Sequence, residues 1–331
     1  MIRLKKGYVM QAARIMEFIG VAEKAAIASA EWNGKGDKVS ADQAATTAMR
    51  DAFNDIDFSG RIVIGEGERD EAPMLYIGEE LGRGGEGIDI AVDPLEGTNL
   101  CAYNKANALC TIAVAPRGSL LFAPDTYMWK IAAGPECVGK IDIEATPAEN
   151  IKAVAEALGK SVNDVNVCVL DRERHADLIQ ACRDAGARVR LIDDGDVFGA
   201  IATAVPNTGI DLYMGAGGAP EGVLACTGLK AIGGMFMGKL AFDIDPHGVE
   251  KRARAEKTAK VDLDAPLTMD MLVRSDDAAF IASGVTDGEM VSGVSKADGS
   301  ITTETVVMNA LDRTVRFIRT CHRGEKGLVR F

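Results

Sequence analysis

The second half of the sequence alternates short apolar runs with helical patterns, and this alternation limits the possible folds more than any other feature. From Val165 the runs VNVCVL, RVRLI and IDLYMG are typical of strands, and helices are predicted from Arg172, Val197 and Ala219. Strands that alternate with helices indicate a parallel sheet with helices on its faces. The sequence therefore predicts an α/β fold.

The first half contains further elements. They are a long helix from about Val9 to Trp32, a helix from Ser40 to about Asn54, a strand from Arg61 to Ile64, a helix with Pro73 in its first turn that runs to about Leu81, strands at IDIAVD and ALCTIAVA, and a helix that ends at Leu158 behind a capping box of Thr146 and Glu149. A length of 331 residues suggests two domains. We place the boundary near residue 164, which gives domains of 1–164 and 165–331.

Charge and cysteine usage exclude several classes of protein. The 49 acidic residues outnumber the 37 basic ones, and the net charge of -12 argues against nucleic acid or an anionic membrane as a partner. No apolar run reaches the length of a membrane helix, and the N-terminus has no secretory signal pattern. The seven scattered cysteines indicate free thiols in a cytoplasmic protein, and three separate histidines make a zinc site improbable.

Two acidic segments follow predicted strands. DPLEGT places Asp93 and Glu96 three residues apart, with Gly97 and Thr98 directly after them, and we expect these residues to form a tight turn. The loop from Gly65 to Glu71 carries several more acids. Carboxylates that repel each other in a turn cost stability unless a cation lies between them. A solvated turn is the alternative reading of each segment, but together they predict a metal site with oxygen ligands, at the strand ends where open α/β sheets bind ligands.

Other candidate motifs are weaker. GRGGEG, at 82–87, matches a dinucleotide fingerprint but should follow a helix and precede a strand, so we interpret it as a turn. Asp194 and Asp196 follow a predicted strand, and GGAPEG at 217–222 opens a helix, where an anion can bind. Arg172 and Arg174 are either exposed charges or contacts to an anionic ligand. Asp42 alone would be interpreted as an acid early in a helix.

The segments SADQAA, IVIGEGERDEAPMLYIGEELG, IDIAVDPLEGTN, PDTYMWK, RVRLIDDGDV, GGAPEGV and TTETVVM together resemble the class II fructose-1,6-bisphosphatases. The resemblance extends from about residue 9 to residue 322. Asp-Pro-x-Asp/Glu-Gly-Thr is shared with the wider superfamily of lithium-sensitive sugar and inositol phosphatases, whereas GEGERDEAPMLYIGE with GGAPEG is specific to this branch.

The resemblance implies a two-domain layered α/β sandwich of the sugar phosphatase type, with the active site between the domains, and a homo-oligomer, either a dimer or a tetramer. It implies hydrolysis of the 1-phosphate of fructose 1,6-bisphosphate, in gluconeogenesis or the Calvin cycle, with Mg²⁺ or Mn²⁺ as cofactor. Some members also act on sedoheptulose 1,7-bisphosphate. Many members have Lys-Pro-Arg where this chain has Arg172-Glu173-Arg174, so both cations are kept and the proline is replaced.

The site residues that the resemblance implies fall into three groups. The metal ligands are Asp42, Glu66, Asp93, Glu96 and Glu221. The catalytic residues are Thr98, Glu66 and Asp93, with the Thr98 hydroxyl expected to orient water and a phosphate oxygen. The substrate contacts are Glu96, Gly97, Thr98, Tyr127, Arg172, Arg174, Asp194, Asp196 and Gly218.

Three alternatives remain open at this point. An aspartyl-nucleophile phosphatase would use Asp243 and Asp245, although His247 stands where that family has threonine or valine. An inositol monophosphatase is the nearest alternative among enzymes. A non-catalytic sugar-phosphate sensor built on the same fold is the alternative outside enzymes.

Overall fold

The computed structural model describes residues 12–67, 73–258, 261–297 and 299–323. Its α-helices are α1 (Ala12–Ala30), α2 (Lys38–Asn54), α3 (Thr98–Ala102), α4 (Pro147–Leu158), α5 (Ala176–Asp184), α6 (Asp196–Ile201), α7 (Ala219–Ile232), α8 (Gly248–Thr258) and α9 (Met269–Leu272). Its strands are β1 (Ser59–Ile64), β2 (Glu80–Leu81), β3 (Gly87–Glu96), β4 (Leu109–Pro116), β5 (Tyr127–Ala133), β6 (Asn166–Leu170), β7 (Arg188–Ile192), β8 (Leu212–Gly218), β9 (Met235–Leu240), β10 (Leu267–Thr268), β11 (Ala279–Gly284), β12 (Ser295–Ala297), β13 (Ser300–Asn309) and β14 (Thr314–Arg323).

The chain divides into two compact units, and the first is discontinuous in sequence. It consists of Met1–Ser119 and Asp277–Phe331, whereas the second is Leu120–Asp276. The predicted boundary near residue 164 differs from this division, because residue 164 lies inside the second unit. The C-terminal strands return to the first unit because β11 pairs with β4 on one side and with β13 on the other.

The first unit contains a mixed sheet in the order β12-β13-β11-β4-β3-β1-β2, with β14 paired to β13. Only β1 and β3 run parallel among the described pairs of this sheet. α1 and α2 cover one face, and their apolar side chains form a single core with β1, β3, β4 and β11. Burying this apolar stripe, which includes Phe18 and Phe53, is what holds both helices on the sheet.

The second unit contains a sheet in the order β10-β9-β5-β8-β6-β7. β6 runs parallel to both β7 and β8, whereas β5 and β9 are antiparallel to their neighbours. α4 and α5 share a core with one face of this sheet, and α6 and α7 approach the other face, for example where Gly199 lies against Tyr213. The layered α/β prediction is confirmed, but within this sheet only β6, β7 and β8 run parallel among the described pairs.

Most predicted elements are confirmed, including the capping box of Thr146 and Glu149. Residues 9–11 of the predicted first helix lie outside the described residues. A short 3-10 turn at Glu173–His175 precedes α5, so the helix predicted from Arg172 begins a few residues later. The glycine-rich segment 82–87 connects β2 to β3 and opens no helix, so it lacks the geometry of a dinucleotide-binding loop.

The helix predicted from Pro73 to Leu81 was wrong. Leu75 has a left-handed φ of 51°, which ends any helix there. The amide of Ile77 donates to the Gly67 carbonyl and that of Gly78 to the Ile62 carbonyl, instead of to carbonyls four residues back. The segment is therefore tied to β1 and its loop by tertiary hydrogen bonds, which a local sequence pattern does not reveal.

Within the described part of the chain, no helix combines the length and apolar composition needed to cross a membrane.

Candidate active site

The two acids of the DPLEGT motif lie on a bulged strand, and the predicted tight turn between them was wrong. β3 continues through Pro94 to Glu96, and its pairing with β4 shifts between Asp93 and Glu96. Asp93 lies opposite Thr111 and Glu96 opposite Leu109, two positions apart on β4. Because alternate residues of a strand point to the same face, the extra residue turns both acidic side chains to one face of the sheet.

Gly97 then ends the strand and starts α3. Its φ of 83° favours glycine, and a Cβ there would lie 2.7 Å from Leu100 Cδ1. Thr98, the first residue of α3, follows directly, so its half-buried hydroxyl side chain is held next to Glu96 by a fixed backbone. The motif therefore presents two carboxylates and a hydroxyl on one rigid connection.

Asp42 and Glu66 come together in the same unit, although they are separated by 24 positions. Asp37 caps α2 by accepting a hydrogen bond from the Ser40 amide at 3.0 Å, which places Asp42 near the start of the helix. Burial raises the pKa of Asp42, and a hydrogen bond with Glu66 opposes this rise only in part. Two carboxyl groups in such contact need a shared proton or a cation between them.

Asp93 and Asp42 both lie within electrostatic range of Cys110. Burial raises the pKa of the Cys110 thiol, and the charges of Asp93 and Asp42 both raise it further. Asp42 and Asp93 thus both lie near one buried thiol, and Asp42 is also the partner of Glu66. Oxygen-only donors of this kind suit a hard divalent ion such as Mg²⁺.

Among the described residues, no three His, Cys, Asp or Glu side chains form a group close enough to hold a metal ion. The close pair of Asp42 and Glu66 is therefore the best-formed part of the predicted set. Residues 68–72, which include three acids of the predicted loop, lie outside the described residues. The donor chemistry fits a divalent cation, which would replace the proton between Asp42 and Glu66.

Glu79 supports the Glu66 loop and was not identified from the sequence. It is buried, and its carboxylate accepts hydrogen bonds from Arg50 Nε at 2.6 Å and from the Leu75 amide at 2.5 Å. The Leu75 carbonyl in turn accepts the Glu66 amide at 3.1 Å. This series of hydrogen bonds, from Arg50 on α2 through Glu79 to Leu75, holds the backbone of Glu66 in place.

In the second unit, the parallel strands β6, β7 and β8 have their carboxyl ends on the same side of the sheet, which we call the edge. The predicted substrate residues Arg172, Arg174, Asp194, Asp196 and Gly218 lie at or just beyond these strand ends. Tyr127 joins them because it pairs with Gly218 at the start of β5. The structure therefore brings this set together at the edge where α/β sheets bind ligands.

Arg174 is held in a defined position at this edge. Its guanidinium carbon lies 4.7 Å from the centre of the Tyr127 ring. Its Nε and Nη2 donate to the Ala216 carbonyl at 3.1 and 2.7 Å. A guanidinium has five N–H donors, so these bonds leave others for an anionic ligand.

Arg172 is fixed in a similar way. Its Nη1 donates to the carbonyls of Asp171 and Asp193 at 3.0 and 2.5 Å, and its Nη2 lies 3.5 Å from Asp194 Oδ1. It therefore bridges the ends of β6 and β7. Replacement of the family's central proline by Glu173 has not removed either cation from the edge.

Glu221 lies in the first turn of α7, in the second unit, and its predicted metal role stays a prediction. A Cβ on Gly218 would lie 2.0 Å from Glu221 Oε2, so this carboxylate folds back over the Gly218 backbone. Pro220 occupies the first turn of α7, as predicted. An acid at this position also favours the positive end of the helix dipole.

His175 is a second residue that the sequence did not identify. It is fully buried, its Nδ1 donates to the Leu170 carbonyl at 2.8 Å, and its Nε2 accepts the Ala216 amide at 2.8 Å. These two bonds need a neutral ring, and burial lowers the pKa of His175. The ring thus links Leu170 on β6 to Ala216 on β8. The Ala216 carbonyl also accepts the hydrogen bonds from Arg174.

We expect this histidine to make the protein less stable in weak acid. Since the folded-state pKa lies below the unfolded value of about 6.5, the unfolded chain binds the extra proton first. The stabilisation is complete above about pH 6.5 and falls as the pH drops below that value, by up to about 1.4 kcal/mol per pH unit. Urea unfolding between pH 7.5 and 5.5 should show this slope.

The His175→Gln variant should lose most of that slope, because its side chain does not titrate. The matched control is His247→Gln, which changes an exposed histidine outside this network and should keep the slope. Equal slopes in wild type and His175→Gln would show that another group causes the pH dependence.

The aspartyl-nucleophile alternative receives no support from Asp245. Its Oδ2 accepts from Thr126 Oγ1 at 3.0 Å and lies 3.1 Å from Lys251 Nζ, while its Oδ1 accepts the His247 amide at 2.9 Å. Burial raises the pKa of Asp245, but these bonds outweigh burial and lower it. The carboxylate thus has a structural role in joining three segments.

A pocket of about 280 Å³ lies in the first unit, away from the predicted residues. Its lining includes Asn33, Asn104, Lys105, Thr286 and Asp287. None of the predicted metal or substrate residues lines it, so pocket size alone does not identify the predicted site.

Comparison with known proteins identifies the family of the chain. Residues 12–322 match the family described as bacterial fructose-1,6-bisphosphatase, glpX-encoded. A D-fructose 1,6-bisphosphatase class 2/sedoheptulose 1,7-bisphosphatase of Synechococcus sp. (strain CC9605) is 45% identical over 326 residues, which cover 96% of this chain and 98% of that protein. A protein of the same name from Parasynechococcus marenigrum (strain WH8102) is 45% identical over 323 residues, covering 95% and 97%.

A third protein of that name, from Thermosynechococcus vestitus (strain NIES-2133 / IAM M-273 / BP-1), is 44% identical over 337 residues, covering 95% of this chain and 96% of that protein. The resemblance seen in the sequence motifs is confirmed over nearly the whole chain. The chain belongs to the class II fructose-1,6-bisphosphatases, phosphoric monoester hydrolases of carbohydrate metabolism that depend on divalent metal ions.

Proposed function

We propose that the protein hydrolyses the 1-phosphate of fructose 1,6-bisphosphate, giving fructose 6-phosphate and inorganic phosphate, with Mg²⁺ or Mn²⁺ as its ion. The observation that carries the proposal is the bulge in β3, which turns Asp93 and Glu96 to one face directly before Thr98. The contact of Asp42 with Glu66 supports it. The names of the relatives add sedoheptulose 1,7-bisphosphate as a second substrate.

Each residue of the first unit has a distinct task in this proposal. Asp42, Glu66, Asp93, Glu96 and Glu221 would hold the cation. A divalent ion at such carboxylates neutralises charge on the transferring phosphoryl group and activates water. The Thr98 hydroxyl, too weak an acid to act as the nucleophile, orients the attacking water and a phosphate oxygen, so no phosphoenzyme forms.

The second unit supplies recognition of the rest of the sugar phosphate. Arg172 and Arg174 would bind the phosphate that is not cleaved, and the Tyr127 ring lies against the Arg174 guanidinium. Asp194 and Asp196 accept hydrogen bonds from sugar hydroxyls. Fixed donors of this kind hold the substrate in a reactive position, which accounts for a large part of phosphoryl-transfer catalysis.

The protein would work in gluconeogenesis or the Calvin cycle in the cytoplasm. We also propose that it assembles as a homo-oligomer, either a dimer or a tetramer.

Phosphate release by the purified protein tests the proposal. Fructose 1,6-bisphosphate, sedoheptulose 1,7-bisphosphate and inositol 1-phosphate are compared with Mg²⁺, with Mn²⁺ and with EDTA. We expect metal-dependent turnover of a sugar bisphosphate. Turnover of inositol 1-phosphate alone would indicate an inositol monophosphatase instead. Saturable binding without turnover of any substrate would indicate a non-catalytic sensor.

A further inference from the structure

Lys130 is a buried charged residue in the middle of an apolar strand. It lies on β5 with 1% of its side chain exposed, and its Nζ is 2.5 Å from Oδ2 of Asp196, whose side chain is 6% exposed. A hydrophobic pair of similar volume is often as stable as a buried ion pair, or more so, because both charges lose their hydration. Packing alone therefore does not account for this lysine.

Glycines surround the path of the lysine side chain. Both cross-strand partners of Lys130 are glycines, Gly215 on β8 and Gly238 on β9. A Cβ on Gly217 would lie 1.8 Å from Asp196 Oδ2 and 3.2 Å from Lys130 Nζ. The sheet thus leaves a space that the ion pair fills, and a larger residue at Gly217 would displace the carboxylate.

The pair lies at the edge that carries the substrate residues. Asp196 is the first residue of α6, just beyond the end of β7, and Gly217 precedes Gly218, the residue opposite Tyr127. Lys130 contacts only one oxygen of the Asp196 carboxylate in a hydrogen bond. The other oxygen, Oδ1, makes no hydrogen bond with Lys130.

We infer that Lys130 is a positioning residue for the sugar: its ammonium group fixes the Asp196 carboxylate so that Oδ1 accepts a hydrogen bond from a substrate hydroxyl. The lysine also cancels a negative charge that would repel an anionic substrate. This inference rests on the proposed function and adds to it a residue that acts through Asp196 without touching the substrate.

Three variants test the inference: Lys130→Met, Asp196→Asn, and the double variant with both changes. For each folded protein, the melting temperature, KM and kcat are measured, and fructose 1,6-bisphosphate binding is titrated in EDTA. We expect each single variant to weaken binding and raise KM by roughly 10- to 100-fold, the loss of one hydrogen bond to a charged group, with kcat changed much less. The double variant should be no worse than Asp196→Asn, because both changes remove the same contact.

The double variant also distinguishes a loss of substrate binding from a loss of stability. Lys130→Met leaves a buried carboxylate without its cation, which lowers the melting temperature, whereas the double variant removes both charges and should recover it. The control is Lys160→Met, which breaks a more exposed ion pair of the same length with Asp211 at the other end of β8. It should lower stability without changing KM.

The outcomes separate the two claims. Wild-type protein that binds fructose 1,6-bisphosphate without turning it over would overturn the proposed function but leave the binding test intact. Folded Lys130→Met with wild-type affinity would overturn the inference, as would additive losses in the double variant. A double variant that regains both melting temperature and KM would show a purely structural role and would also overturn it.

Discussion

The Asp93→Asn variant should lose metal-dependent phosphatase activity by at least about 10³-fold in kcat/KM. Removing a single electrostatic donor from an active site already costs about 10² to 10³ in rate, and this change weakens the hold on the cation itself. Metal-free Asp93→Asn should be as stable as wild type or slightly more so. Asn can still accept the Leu95 amide that Asp93 Oδ1 accepts at 3.1 Å, and like-charge repulsion with Glu96 disappears.

Thermal unfolding with increasing Mn²⁺ gives a readout that is independent of turnover. A ligand that binds only the folded state stabilises it by about 2.7 kcal/mol at one hundred times its Kd. Wild type should show this rise in melting temperature, and Asp93→Asn should show little of it. An Asp93→Asn protein with full Mg²⁺- or Mn²⁺-dependent turnover would show that the ion is held elsewhere.

Asp89→Asn is the matched control, because Asp89 is another acid on β3. It is fully buried, pairs with Arg61 at 2.9 Å and accepts the amides of Gly118 and Ser119 at 2.5 and 2.9 Å. Its loss should cost about 1.5 to 3 kcal/mol of stability, the usual contribution of a hydrogen bond to a charged group. The folded fraction should keep its kcat and its response to Mn²⁺.

The contrast between Asp89 and Asp93 shows what the sequence could predict about the site. Both residues lie on one strand, and the sequence pattern singles out DPLEGT as a place where acids converge, which stays a prediction. The predicted tight turn was wrong, however: Asp93 and Glu96 share a face because of a bulge in the pairing with β4, which depends on residues more than ten positions away. Local patterns identify such a motif, but the pairing that gives it shape is a tertiary property.

The same limit explains the other differences. The discontinuous first unit follows from the pairing of β11 with β4, and no local signal gives a strand its partner. The roles of Lys130 and His175 depend on their being buried. The sequence YMWKIAA does not indicate whether its one charged side chain is buried or exposed. Elements stabilised by their own sequence, such as α4 with its capping box and its C-terminal Gly159, were predicted closely.

The loop that carries Glu66 should be very sensitive to a methyl group at Gly65. A Cβ there would lie 1.9 Å from the Leu75 carbonyl oxygen and 2.8 Å from Ile62 Cγ2. The Gly65→Ala change must therefore push Leu75 away, although the Leu75 carbonyl also accepts the Glu66 amide. We expect a loss of about 1 to 3 kcal/mol in the free energy of unfolding, as for other overpacked sites.

Activity should fall more steeply than stability in Gly65→Ala. A shift of about 1 Å in a positioned group costs roughly 10² in rate, and Glu66 is the neighbour of the altered residue. Urea unfolding and phosphate release from fructose 1,6-bisphosphate, measured at a temperature where the variant is folded, check both effects.

Gly20→Ala is the control, because Gly20 has space for a methyl group whereas Gly65 has none. It lies within α1, and a Cβ there would meet no atom within 4 Å. Alanine in a helix interior should raise stability by roughly 0.5 to 1 kcal/mol and leave kcat unchanged. If Gly65→Ala behaved like Gly20→Ala, the segment from Glu66 to Leu75 would have to move freely, and the hydrogen bonds through Glu79 could not be what holds Glu66 beside Asp42.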